Sequence, residues 1–142
     1  MNIQTKYHGT VTISDNDIVT FPNGLPGFLD EKRFIIIPLE DSLFCALQSV
    51  ETNTLAFITV NPFDVYPDYT FKLNQQTKEQ LNIDKDTNVS VLAMVTVQDP
   101  VTSSTLNLNA PLVINMATNQ GKQYIVPKSN YSTKEPLVKG DA

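Results

Sequence analysis

Hydrophobic and polar positions alternate almost without fault at the start of the chain. Ile3, Thr5, Tyr7, Gly9, Val11 and Ile13 share one phase, and Asn2, Gln4, Lys6, His8, Thr10 and Thr12 share the other. A period of two sustained over residues 2–13 predicts a half-buried strand, or a hairpin kinked at Gly9. Short apolar segments then recur at 34–39, 43–47, 55–60, 69–73, 89–97, 106–115 and 122–126. The run Val89-Ser-Val-Leu-Ala-Met-Val-Thr-Val97 is apolar in both phases, which predicts a central strand covered on both faces. Thr77-Lys-Glu-Gln80 matches a capping box, and Leu81 and Ile83 follow it, so one short helix is expected over about 77–83. The pattern is that of a mainly β protein: a single compact antiparallel or mixed β-barrel-like domain over residues 1–127, with that helix as a lid. Residues 128–142 are polar and apolar-poor, and are expected to form a flexible C-terminal tail.

Composition sharpens this picture. Charged residues make up 18% of the chain, while 15 Thr and 13 Asn suit strands and turns, and nine prolines interrupt any long helix. The densest punctuation is Phe21-Pro-Asn-Gly-Leu-Pro-Gly-Phe28. Here Pro26-Gly27 fits the two central positions of a type II turn, with Phe21, Leu25 and Phe28 directed to the core. No Gly-Lys-Ser/Thr follows, so this is not a phosphate-binding loop.

The charge balance is 15 acidic against 10 basic side chains, a net of −5 with a pI near 4.6. That argues against direct nucleic-acid binding, which needs clustered Lys and Arg. The distribution says more than the sum. Residues 1–70 carry a net of −6 and residues 71–142 a net of +1, and the stretch 34–71 holds five carboxylates without one Lys or Arg. Within it, Asn61-Pro-Phe-Asp-Val-Tyr-Pro-Asp-Tyr-Thr70 interleaves aromatic and acidic residues on a proline-stiffened backbone. Aromatics ringed by charge suit a protein-binding patch, and Glu40, Asp41, Phe63, Asp64, Tyr66, Asp68 and Tyr69 are its candidate residues. The same pattern also fits a proline-bent edge whose aromatics bury inward and whose acids face water.

No catalytic constellation or metal site is legible. Cys45 and His8 are single residues of their type, which excludes an internal disulfide and a multi-cysteine zinc site. The carboxylate pairs Asp30/Glu31, Glu40/Asp41 and Asp64/Asp68 leave a small β-barrel carboxylate-dependent hydrolase as the alternative reading. No cofactor is implied. No apolar run reaches the roughly 18 residues of a membrane span, and the first residues lack a secretory pattern, so the expected compartment is the cytoplasm.

Several segments taken together resemble a known family. Thr5-Lys-Tyr-His-Gly9, Phe21-Pro-Asn-Gly-Leu-Pro-Gly-Phe28, Leu47-Gln-Ser-Val50 and Leu55-Ala-Phe57 are similar to segments of the flagellar assembly factor FliW. So are Asn61-Pro-Phe63, Pro67-Asp-Tyr69, Val95-Thr-Val97, Asn107-Leu-Asn-Ala-Pro-Leu-Val-Ile-Asn115 and Gly121-Lys-Gln123, in order over residues 3 to about 126. The resemblance implies a non-enzymatic cytoplasmic protein, monomeric on its own, with two mutually exclusive partners. One is flagellin. The other is the RNA-binding translational repressor CsrA, whose hold on flagellin synthesis would be lifted when the free protein binds it. An acidic protein suits such a basic partner, since opposite charge speeds encounter.

Overall fold

The computed structural model describes residues 1–138. Its strands begin with β1 (Asn2–Gln4), β2 (Thr10–Thr12), β3 (Val19–Thr20), β4 (Arg33–Pro38), β5 (Phe44–Ser49) and β6 (Ala56–Val60). Two short helices follow, α1 (Pro62–Val65) and α2 (Gln75–Gln80). The chain continues through β7 (Val89–Thr96), β8 (Thr105–Leu106), β9 (Leu112–Asn115), β10 (Gln120–Gln123) and β11 (Glu135–Pro136).

The opening alternation folds as an antiparallel hairpin, β1 on β2, with Ile3 opposite Val11. Gly9 sits at φ 62, and Thr5 ties the turn by donating from both its amide and its hydroxyl to the Gly9 carbonyl. The remaining strands run β7-β6-β5-β4-β3-β10-β9, and β9 pairs back onto β7, which closes a seven-stranded barrel. All its pairings are antiparallel except β3 with β10, joined through Thr20 and Gln120, so the barrel is mixed. Closure depends on the length of β7. Its residues 89–92 pair with β9, and Val95 and Thr96 pair with β8 further along. The excursion between β8 and β9 is pinned by Asn107 Oδ1, which accepts the amides of Asn109 and Ala110.

Alternate side chains of each strand fill opposite faces. Phe34, Ile36, Leu47, Phe57, Leu92, Met94, Leu112 and Ile114 pack with Phe21 and Leu25 inside the barrel. The opposite phase is covered from outside by three lids. The N-terminal hairpin lays Ile3 and Ile13 over Ile35 and Ile37. Residues 65–71 and the C-terminal segment cover Val60, Ala93, Leu106 and Leu108. The α2 region sets Leu81 and Ile83 against Val113 and Tyr124. This double coverage is why the 89–97 run is apolar in both phases.

Three expectations need correction. The helix lies at 75–80 rather than 77–83, because Asn74 and not Thr77 is its N-cap: Asn74 Oδ1 accepts the Thr77 amide at 2.8 Å, and Thr77 itself is buried. A second helix, α1, occupies the proline-bent stretch, started by Asn61 as N-cap with Pro62 at its first position. Residues 128–138, expected to be a loose tail, continue to pack: β11 pairs with β8, and Tyr131 sits edge-on to Tyr69 with ring centroids 4.7 Å apart. Residues 139–142 of that expected tail lie outside the described residues.

Candidate functional site

The register of β5 and β6 decides where the acidic stretch goes. Phe44 pairs with Val60. The turn that precedes Phe44 and the helix that follows Val60 therefore emerge at one end of the barrel. Glu40 and Asp41 lie in that turn, Asp64 lies on α1, Asp68 lies just beyond it, and all four are exposed. Asp41 holds its turn at φ 57, a left-handed conformation that Asp tolerates better than most residues. Among the described residues none of these four carboxylates meets a Lys or Arg. The fifth acid of the stretch, Glu51, lies at the opposite end and is paired with Arg33 at 2.5 Å.

Apolar groups stand among these acids. Phe63 is 40% exposed on α1, and Leu43, 58% exposed in the β4–β5 turn, is a neighbour that sequence reasoning missed. Its signal was available: a leucine in a polar turn beside Glu40 and Asp41 has no core to enter. Beneath them Phe44, Val65 and Tyr66 pack around Val60. Phe63 leans on Tyr69, centroids 5.7 Å apart, and Tyr69 leans on Phe71 at 5.4 Å.

The structure separates the three aromatics proposed for the patch. Phe63 is presented to solvent, with its amide held by Asn61 Oδ1 at 2.9 Å. Tyr66 is half-buried and donates its hydroxyl to the Pro136 carbonyl at 2.6 Å. Burial, and next to it the Glu135 carboxylate, raise its phenol above the ordinary value. Tyr69 is 3% exposed, donates to the Leu108 carbonyl at 2.7 Å, and has its phenol raised by burial and then by Tyr131. It is a floor beneath the patch rather than a contact surface. Tyr69 thus buries inward and Phe63 does not, while the four acids face water, which both readings of the stretch expect.

The other singled-out residues serve the frame. Pro26 and Gly27 occupy the centre of a turn closed by Phe28 N–H donating to Leu25 O at 2.7 Å, with Gly27 at φ 82. Phe28 departs from the expected burial: it is 41% exposed and stacks edge-on against Phe57. Glu31 is spent on the hydroxyls of Ser49 and Thr52. Burial pushes the half-buried Cys45 thiol above its ordinary value, which disfavours the reactive thiolate. His8 stands half-buried rather than on an open polar face, its Nδ1 without a hydrogen-bond partner. Among the described residues no group of three or more His, Cys, Asp or Glu is placed to hold a metal ion. The surface hollows beside the N-terminal hairpin are lined by Arg33, Glu51, Asp15 and Asp17, and none of the three carboxylate pairs faces them. The hydrolase alternative gains no support from this arrangement.

Fold and site together define a small mixed β-barrel filled by apolar side chains, with exposed carboxylates and apolar groups side by side at one end. The FliW protein profile matches residues 2–137. The chain belongs to the FliW family of flagellar assembly factors. It is 47% identical over 137 residues to the flagellar assembly factor FliW of Geobacillus kaustophilus, covering 96% of this chain and 95% of that one. It is 46% identical over 138 residues to that of Bacillus subtilis, covering 96% of each. A crystal structure of the flagellar assembly factor FliW superposes with a TM-score of 0.92 at 42% identity, covering 98% of both chains. No helix among the described residues is long and apolar enough to cross a membrane.

Proposed function

We propose that this flagellar assembly factor works in the cytoplasm without catalysing a reaction, by exchanging two protein partners, flagellin and the RNA-binding repressor CsrA. Bound to flagellin it leaves CsrA free to repress; released from flagellin it captures CsrA and relieves repression of flagellin synthesis. The observation that supports this reading is the end of the barrel where exposed Glu40, Asp41, Asp64 and Asp68 share the surface with Phe63 and Leu43, none of the four paired with a Lys or Arg among the described residues. An RNA-binding surface must be basic, so four exposed carboxylates beside apolar groups complement it and repel the competing phosphates. No carboxylate there needs to move a proton or attack a bond.

The test is the quadruple variant Glu40→Lys, Asp41→Lys, Asp64→Lys, Asp68→Lys, measured for association with purified CsrA and purified flagellin over a salt series. All four positions are exposed, so the fold should survive, which circular dichroism checks. We expect the CsrA association rate to fall at least about tenfold and its salt dependence to flatten or invert. An unchanged rate and salt slope would refute the electrostatic reading. Failure of the natural chain to bind either protein would refute the partner exchange itself.

A further inference from the structure

The last described residues lie along β8 as an added strand. Leu137 N–H donates to Ser104 O at 2.8 Å, Pro136 and Glu135 pair with Thr105 and Leu106, and Leu108 N–H donates to Ser132 O at 3.1 Å. Tyr131 stacks on Tyr69, Leu137 packs on the same cluster, and Pro136 O accepts the Tyr66 hydroxyl. The two sides of this contact are unequal. What is covered is deeply buried: Ser104, Leu106, Leu108 and Tyr69 are each no more than 3% exposed. What covers them is not, for no residue from 125 to 138 is buried, and Ser132, Thr133, Lys134, Pro136 and Val138 are exposed.

Pro136 shows how this edge is managed. The bond from Leu137 N–H to Ser104 O makes Pro136 and Thr105 a non-hydrogen-bonded pair, so the proline nitrogen faces away from β8. The ladder loses nothing, and the outer side of β11 is left without a donor at that position, which discourages a further strand there. The edge able to take an extended chain is therefore that of β8, and the protein's own segment occupies it through main-chain bonds and two half-buried side chains.

We infer that residues 131–138 are an exchangeable strap, and that β8 with Leu106, Leu108 and Tyr69 accepts an extended segment of a partner protein in its place. The strap defines the chemistry of that segment. It runs antiparallel to β8, carries an aromatic side chain to stack on Tyr69, and carries a branched aliphatic one six residues later where Leu137 stands. Main-chain pairing supplies affinity and the two side chains supply selection. Because Tyr66 and Tyr69 belong to both the strap contact and the floor of the acidic patch, exchange also removes the Pro136 carbonyl from the Tyr66 hydroxyl. The inference needs no charge complementarity and stands apart from the reading of the patch.

The test staples the strap in the full chain. Thr105→Cys and Pro136→Cys, in a Cys45→Ser background, place two thiols on a non-hydrogen-bonded pair, whose Cβ separation of about 4.5–5.5 Å lets a disulfide form with small adjustment. The probe is a fluorescent peptide of the strap's own sequence, residues 129–138. Binding to the reduced chain is expected to fall at least about tenfold on oxidation and to return with reductant, since a covalent strap is always in place. In a second chain, Leu137→Ser should strengthen peptide binding by weakening the resident strand. Amides of Leu108 and Leu137 should exchange at least about 100-fold faster than those of Val113 and Ile114 in β9. Peptide binding that ignores both changes, or strap amides protected as well as those of β9, would overturn the proposal. The quadruple lysine variant should keep its peptide binding, so loss of the patch reading and loss of this one are separately visible.

Discussion

Gln48 is a fully buried polar residue near the end of β5, between Leu47 and Ser49, and replacing it by Met tests how the N-terminal hairpin is held to the barrel. Its Oε1 accepts the Lys6 amide at 2.9 Å from the hairpin turn. Its Nε2 lies 3.0 Å from Ser49 O, 3.2 Å from Asn53 O and 3.2 Å from Leu55 O, inside the β5–β6 turn. One side chain thus ties the hairpin and the turn to the same barrel end. Methionine keeps the length and nearly the volume, so no cavity term enters, and the loss is that of the hydrogen bonds. Leaving a buried donor or acceptor without a partner costs about 1–3 kcal/mol. With the Lys6 N–H and at least one turn carbonyl stranded, Gln48→Met should cost roughly 2–4 kcal/mol, a large share of the ~5–15 kcal/mol of a domain this size. Urea titration followed by circular dichroism reads this as a lower midpoint at unchanged slope. Hydrogen exchange should show the amides of Thr5 and Ile13, which close the hairpin, losing protection before those of β9. A cost below about 1 kcal/mol, with hairpin protection intact, would refute the hub role.

Three further outcomes are expected. Tyr69→Phe should cost about 1–2 kcal/mol by leaving the Leu108 carbonyl without its donor. Burial raises the folded-state phenol above its ordinary value near 10, so the folded chain holds that proton longer than the unfolded one. Stability should therefore fall as pH rises above about 10, and the Tyr69→Phe chain should lose less stability over that limb than its parent when urea midpoints are compared. Gly121→Ala places a methyl 2.8 Å from Phe21 Cε1 and 3.1 Å from Ile114 Cγ1 inside the barrel, and should cost about 1–3 kcal/mol in thermal unfolding. Asn74→Ala should cost about 1 kcal/mol through loss of the α2 cap, and an effect near zero would return the helix start to Thr77.

Much of this protein was determined by local sequence. The strict alternation of residues 2–13 made a hairpin because side-chain period and strand pleat coincide. Pro26-Gly27 made a turn because one residue presets φ and the other tolerates φ 82. The two-phase apolar run at 89–97 announced a strand covered on both faces, and β7 is one. These features depend on a residue and its near neighbours. The start of α1 was legible by the same logic, in the pairing of Asn61 with Pro62, but the aromatic and acidic residues around it drew the reading toward a surface edge.

What tertiary structure alone decided depends on distant pairings. Composition counted five carboxylates between residues 34 and 71, and the Phe44–Val60 register sent four of them to one barrel end while Arg33 claimed Glu51 at the other. The interleaved pattern could not say which aromatics face water. Phe63 and Tyr69 look alike in sequence, yet the Leu108 carbonyl and the Tyr131 ring, 39 and 62 positions beyond Tyr69, bury one and leave the other out. Residues 131–138 looked like a tail because their few apolar side chains, Tyr131, Leu137 and Val138, cannot make a core of their own. They gained a place from the unpaired edge of β8, whose backbone donors and acceptors accept an extended chain whatever its side chains.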